Sequence, residues 1–322
     1  MNFNLEYDTY IMDSFEFESG RILENVNVEY WVGGSPRYDA DGNIVNAVIY
    51  FPNFKNENSI LQQFHNQILD EFTDEYFFIK ITPLGVPNSC SPSSTGLKYQ
   101  FPQYTLKDRV NFKRQFLKEK FDIGKVLGLI GERVSGFEVY TWACEYPDEM
   151  EFIINLNTTF KTYGYRYVLL NVADSILDSS EDFYSDEYSV SLSKLIVMIM
   201  RLMFLGNFPK KVFEEFSNDE IDVIMEDYVD EGLFIDIYDF KSRNDCLLRY
   251  DVFDKLKDIK AKSLIMGSSD YLYFNNDNDI LPLKDIIEDS RVLVFSDKEN
   301  FYDEHDYSDM GSEIISFLKQ FQ

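Results

Sequence analysis

Apolar positions along this chain follow two periods in turn, and their alternation predicts the architecture. Short apolar runs bounded by turn residues read as strands over residues 26–32, 47–51, 77–82, 126–130, 152–156, 263–266 and 292–295. Between them lie stretches with apolar residues three and four apart, which predict helices over 60–69, 106–121, 136–145, 283–287 and 312–320. Such alternation makes a mostly parallel sheet covered on both faces, with right-handed crossovers between parallel strands. The strand pattern stops between about Asn171 and Asp254, where helical periodicity over 190–205, 211–216, 219–229 and 245–257 replaces it. Residues 1–170 and 255–322 are therefore expected to form an α/β core, and residues 171–254 an inserted helical cap. The run KLIVMIMRLMF, from Lys194 to Phe204, is apolar on nearly all sides. It reads as a helix buried under the cap, as a dimer seam if exposed, or as a wall of a ligand pocket. The Asp/Asn cluster Asn275 to Asp279 reads as a loop.

Composition narrows the partners. With 30 Lys and Arg against 57 Asp and Glu, the formal net charge is −27, spread along the whole chain. That field repels phosphate backbones and anionic lipid, so nucleic acid and membrane surfaces are excluded as expected partners. Cys90, Cys144 and Cys246 are widely separated and lack the paired spacings of zinc sites or disulfide frameworks, which fits a reducing cytoplasm and no bound metal. The opening residues have no basic stretch followed by an apolar one, and the longest apolar run, near 195–205, is interrupted by Arg201. The expectation is a protein neither secreted nor membrane-spanning.

The segment VLGLIGERVSG, from Val126 to Gly136, reads as a strand entering a sharp turn that opens a helix. In the α/β-hydrolase arrangement that turn carries a nucleophilic serine in the motif G-x-S-x-G, with its hydroxyl held clear of the sheet. Here the five positions are Gly131, Glu132, Arg133, Val134 and Ser135. A guanidinium has five donors and no acceptor, so Arg133 cannot take the acyl group. An acid and a base follow in the expected chain order: Asp270 lies just beyond the strand at 263–266, and His305 lies in the loop after the strand at 292–295. The other histidine, His65, falls in a helical pattern and reads as structural. Ser135 and Cys90 are the alternative nucleophiles, the first pointing away from the Asp270 and His305 side and the second isolated in a loop.

These fragments together resemble the homoserine O-acetyltransferase family of α/β hydrolases over most of the chain. FEFESGRILENVNVEYWVGG, from Phe15 to Gly34, is similar to the family's opening, and Ser94-Thr95-Gly96 to its S-T-G loop. Phe101-Pro102 through Arg109 resembles F-P-x-x-T-I-x-D-M-V, and Trp142 through Asp148 matches E-W-A-x-x-Y-P-D almost letter for letter. The resemblance implies an α/β-hydrolase fold, a cap-mediated homodimer and a serine that accepts acetyl from acetyl-CoA and passes it to homoserine. Acetyl-CoA would then be a substrate, and no cofactor is implied. It also implies Asp270 as acid, His305 as base, and backbone oxyanion donors at Phe54 and Val134, although Pro52 and Phe54 stand where the family has His and Leu. With Arg133 at the elbow, three readings stand. One is a pseudoenzyme retained for binding or partnering, with Arg133 either in a salt bridge to Asp270, Glu132 or Glu304 or holding a small carboxylate. Another is an enzyme that uses His305 and Asp270 with a non-standard mechanism. The third is a dimeric regulatory module.

Overall fold

The computed structural model describes residues 5–51, 72, 74–185, 190–208, 210–268, 273–295 and 308–322. Its strands are β1 (Glu6–Glu16), β2 (Ile22–Gly34), β3 (Ala47–Tyr50), β4 (Phe77–Ile81), β5 (Val126–Glu132), β6 (Met150–Leu156), β7 (Lys262–Gly267) and β8 (Ser290–Val294). They form one sheet in the order β1-β2-β4-β3-β5-β6-β7-β8. β2 runs antiparallel to both neighbours, and the strands from β4 to β8 are mutually parallel. Each strand predicted from the apolar runs is present.

β1 escaped the periodicity for a geometric reason. Asn25 in β2 has φ +56°, and the pairing skips Asp13 opposite it. The inward positions therefore change parity, from Tyr10 and Met12 to Phe15 and Phe17, and the strict alternation that marks a strand is lost. β1 and β2 close through a turn in which the Phe17 and Arg21 backbones are bonded at 2.9 Å.

Helix α1 (Leu106–Phe121) coincides with the predicted one, and α2 (Ser135–Glu145) follows β5 directly. Between β6 and β7 lie α3 (Gly164–Asp178), α4 (Val190–Asn207), α5 (Lys210–Glu215), α6 (Asn218–Gly232) and α7 (Ile237–Leu248), called the cap below although the first of them starts ahead of the expected boundary at residue 171, and α8 (Ser308–Leu318) follows β8. α3 was not predicted, because apolar residues lie on both its faces: Leu169, Leu170, Ala173 and Leu177 inward, Tyr165, Val168 and Val172 outward. The helix expected over 245–257 is instead α7, started by the Asp236 carboxylate on the Tyr238 and Asp239 amides. It stops because the backbone leaves to pair with the other end of the cap, where Thr162 N donates to Tyr250 O and Val252 N to Phe160 O. The predicted helix over 283–287 is a short 3₁₀ turn, Leu281–Asp285, with Pro282 in its first turn. The one predicted over 60–69 lies outside the described residues. In α4, Ile199, Met200 and Phe204 are buried inside the cap, as the first reading of the Met-rich run has it.

Two cores flank the sheet. Phe112, Phe116, Phe137 and Trp142 of α1 and α2 pack on one face, and Ile314, Phe317 and Leu318 of α8 pack with Phe152, Ile154 and Leu156 on the other. Within the first core lies a fully buried charge cluster. Arg109 of α1 reaches the Glu138 carboxylate on α2 at 2.8 Å, Lys113 bonds its other oxygen, and the Lys113 ammonium sits 5.2 Å over the Phe51 ring.

Burial lowers the Lys113 pKa from 10.5 to about 8, although Glu138 pulls the other way. Because the folded value lies below the unfolded one, this group penalises the folded state below pH 8, and the penalty is relieved as pH rises from about 8 toward 10.5. Urea unfolding of wild type and Lys113→Met between pH 8 and 9.5 should show their difference moving in favour of wild type, by up to about 1.4 kcal/mol per pH unit. A pH-independent difference contradicts this linkage.

Candidate active site

The elbow at the end of β5 is formed by backbone and held by its neighbours. Arg133 has φ +51°, a left-handed conformation that costs a side-chain-bearing residue about 1–2 kcal/mol. Its amide donates to Leu156 O at 2.9 Å, and its carbonyl accepts from Gly136 N at 3.1 Å and from the Thr158 hydroxyl at 2.8 Å. β6 therefore grips the turn on both sides of the strained residue. Two glycines make the turn possible by close approach. A Cβ on Gly131 would lie 2.7 Å from Val139 Cγ2, and one on Gly136 would lie 2.6 Å from Thr158 Oγ1. Val134 returns to right-handed geometry and opens α2, which puts its N–H at the helix's positive end, the main-chain position predicted for an oxyanion donor.

Ser135 is spoken for. Its hydroxyl donates to Glu132 O at 2.7 Å and accepts from Glu132 N at 2.9 Å, closing the turn with a side-chain clasp inside the core. It is thus a structural part of the elbow and not a substitute nucleophile. Cys90 is no better placed: it is buried, and burial pushes its thiol up to about 12, so it stays protonated at neutral pH. Of the predicted site residues, the elbow group Arg133, Val134 and Ser135 is brought together. Asp270, His305 and Phe54 lie outside the described residues, as do His65 and Glu304.

The sequence reading missed a polar shelf at the end of β6. Asn157 has φ +45°, and its amide group bonds the Ser268 hydroxyl at 2.8 Å and the Ser268 N–H at 2.7 Å, joining the ends of β6 and β7. Nearby, the buried Asp279 carboxylate accepts from Thr159 Oγ1 at 2.6 Å, Asn275 N at 2.9 Å, Arg166 Nη2 at 3.0 Å and Tyr163 OH at 3.2 Å. These bonds wind the stretch after Asn275, read from sequence as a loop, into a wide helical turn, Asn276–Ile280, and lock it to α3 of the cap. The available signal was the run Asn155-Leu156-Asn157-Thr158-Thr159, polar where a buried strand meets the catalytic edge of a parallel sheet.

Motifs that carried the resemblance turn out to be joints of the scaffold. Trp142 Nε1 donates to Glu149 at 2.9 Å, Tyr146 OH to Asn111 at 2.6 Å, and the Arg114 guanidinium stacks 3.5 Å from the Tyr146 ring centre, all at the far end of α2. Ser93, beside the S-T-G loop, gives its amide at 2.8 Å and its hydroxyl at 2.5 Å to Asp239 of α7, pinning core to cap.

The Arg133 side chain is a quarter exposed, and its Nε lies 3.8 Å from the buried Glu132 carboxylate. Glu132 is thus the one predicted salt-bridge partner that the described residues include. The Tyr228 hydroxyl on α6 accepts from Asn207 at 2.8 Å, and burial pushes its pKa up against the lowering effect of that bond and of the Arg243 and Arg133 charges. Among the described residues, no group of three histidine, cysteine or acidic side chains is arranged to hold a metal ion, and no helix is long and apolar enough to cross a membrane.

Sheet order and a left-handed elbow opening a helix define an α/β-hydrolase fold. The solved structures agree: a homoserine O-acetyltransferase from Staphylococcus aureus superposes with a TM-score of 0.73 at 20% identity, covering 98% of this chain and 95% of its own. The esterase E22 L374D mutant does so with a TM-score of 0.80 at 18% identity, covering 98% and 100%. No protein-family model matches. In sequence the chain is 34% identical over 313 residues to a probable acyltransferase of Methanothermobacter thermautotrophicus, spanning 95% of this chain and 96% of that one. It is 26% identical over 214 residues to a homoserine O-acetyltransferase of Sulfurimonas autotrophica, spanning 60% and 57%. The chain belongs to the homoserine O-acetyltransferase family of acyltransferases.

The clasp at Ser135 gives a direct test. Ser135→Ala should lower unfolding free energy by about 1–3 kcal/mol, because it leaves the Glu132 N–H buried without its acceptor. Ester-hydrolysis assays run beside the urea titration should show no change in turnover; a loss of turnover with unchanged stability would return Ser135 to the list of nucleophiles.

Proposed function

We propose that this member of the family no longer carries acyl groups on its elbow residue and instead uses the elbow to hold a small carboxylate. The observation that supports this reading is the pair of commitments at the turn. The side chain in the left-handed tip is a guanidinium, and the adjacent hydroxyl of Ser135 is bound on both sides to Glu132. A covalent acyl-enzyme needs a nucleophile at that tip, and removal of the nucleophile from a serine enzyme costs about six orders of magnitude in kcat. A fork of N–H donors at the same tip, beside the N-terminus of α2, suits a carboxylate. Asp270 and His305 are the acid and base that the family resemblance implies. Purified protein supplied with acetyl-CoA and homoserine should release no coenzyme A above background, and Arg133→Ser should gain turnover, since serine fits the left-handed tip and restores a hydroxyl there. Wild-type turnover at an ordinary enzymatic rate overturns this reading.

We further infer that two copies pair through the cap. Tyr165, Val168 and Val172 form one stripe along α3 and are 69%, 55% and 40% exposed. The seam is placed there and not on Met200 and Phe204, which are buried within the monomer. Sedimentation should give a dimer for wild type and a monomer for Val168→Asp, with far-ultraviolet dichroism unchanged; a monomeric wild type refutes the pairing.

A further inference from the structure

A cavity of about 470 Å³ opens beside the first residue of β5, at the opposite edge of the sheet from the elbow. Small-molecule sites commonly enclose roughly 300–1,000 Å³. Leu117, Ile123 and Val126 supply apolar lining, and most of the polar lining comes from α1 and from the end of α2. The charges in that lining are matched close by. Arg114 gives Nε at 2.8 Å and Nη2 at 2.5 Å to the two Glu149 oxygens, Trp142 Nε1 adds a bond to Glu149 at 2.9 Å, and Lys118 pairs with Asp122. An ion entering the cavity would have to open the Arg114 fork and leave a half-buried charge without its partner. The cavity therefore favours a neutral ligand.

What the lining still offers is neutral and directional. Asn111 accepts on its Oδ1 from Tyr146 OH at 2.6 Å and from Arg114 Nη1 at 3.3 Å, so its amide N–H groups remain as donors. Gln115 gives its Nε2 to Ser14 O at 2.8 Å and to Glu119 at 2.7 Å, so its Oε1 remains as an acceptor. The two residues are one turn apart on α1 and share a face of that helix. On the same face the Arg114 guanidinium stacks 3.5 Å from the Tyr146 ring centre, and its side chain is 31% exposed, which leaves part of a flat surface for a further ring. We propose that this cavity binds a planar aromatic carboxamide. Its carbonyl accepts from Asn111 Nδ2, its amide N–H donates to Gln115 Oε1, and its ring extends the stack on Arg114 above the apolar lining. The assignment is independent of the reading of Arg133, because the cavity is lined from the other end of α2.

The chain has two tryptophans, Trp142 in the cavity lining and Trp31 on β2, so a nitrogen–proton correlation spectrum of the full chain carries two indole N–H signals, which Trp31→Phe assigns. Titration with benzamide should move the Trp142 signal and leave that of Trp31 in place. Three molecules of similar size remove one feature each: benzoate is an anion with no donor, benzamidine a cation with no acceptor, and cyclohexanecarboxamide keeps the amide on a ring that is not flat. Benzamide should bind at least fivefold more tightly than each of them. Gly124 also lines the cavity, and a Cβ there meets no atom within 4 Å, so Gly124→Leu fills the space without a clash and should abolish the benzamide shift. An unmoved Trp142 signal, a control that binds within fivefold of benzamide, or a shift that survives in Gly124→Leu overturns the assignment. Thermal unfolding of Gly124→Leu shows whether the fold is kept, and the wild-type series decides the matter without that variant.

Discussion

At Arg133 the chain turns out of β5 through a backbone conformation that disfavours every residue with a side chain, and the surroundings exist to hold it there. Leu156 and Thr158 of the β6 edge bind the backbone on both sides of the strained residue, Ser135 clasps Glu132, and Gly131 and Gly136 let β5 and α2 approach without a Cβ between them. Strain of about 1–2 kcal/mol persists at one residue only where several other contacts over-determine it. The direction of α2, and with it the position of Glu138 and its two cations on α1, follows from this turn.

That dependence leaves the scaffold indifferent to the side chain at its most chemical position. The bonds that shape the elbow go to the backbone of residue 133 and to the side chain of residue 135, so replacing the side chain at the tip leaves them in place. A charged tip differs in its demands from a hydroxyl. A serine enzyme needs an uncharged hydroxyl beside a base, whereas a guanidinium calls for anions from any source, including Glu132 next to it. The acidic surface and the cationic tip are therefore separate features, one acting over the whole molecule and the other within a few bonds.

Legibility in the sequence followed the range of the interaction. The parallel strands and α1 could be read because buried strands are apolar throughout and α1 carries both its capping box at Thr105 and Asp108 and its helical stripe. β1 could not, since a single left-handed residue, Asn25, shifts the side-chain parity that a periodic reading relies on. α3 was hidden by apolar residues on its outer face, and the turn at Asn276–Ile280 by its composition, because the carboxylate that organises it is bonded to residues far away in sequence. At the site, the elbow was legible from five consecutive residues, whereas Asn157, Thr158 and Asp279 act only through strands brought side by side.

The two backbone bonds at the neck of the cap, Thr162 to Tyr250 and Val252 to Phe160, carry a consequence for folding order. They close a segment of about 90 residues, and joining the ends of such a loop costs roughly 4 kcal/mol in chain entropy. The β6 and β7 ladder lies directly beneath the neck and already holds Phe152–Leu156 against Lys262–Met266. Once that ladder forms, the neck closes at little extra entropic cost, and the cap can assemble or come apart above a finished sheet. Forming the ladder first thus spares the inserted helices the entropic cost of closing their own loop.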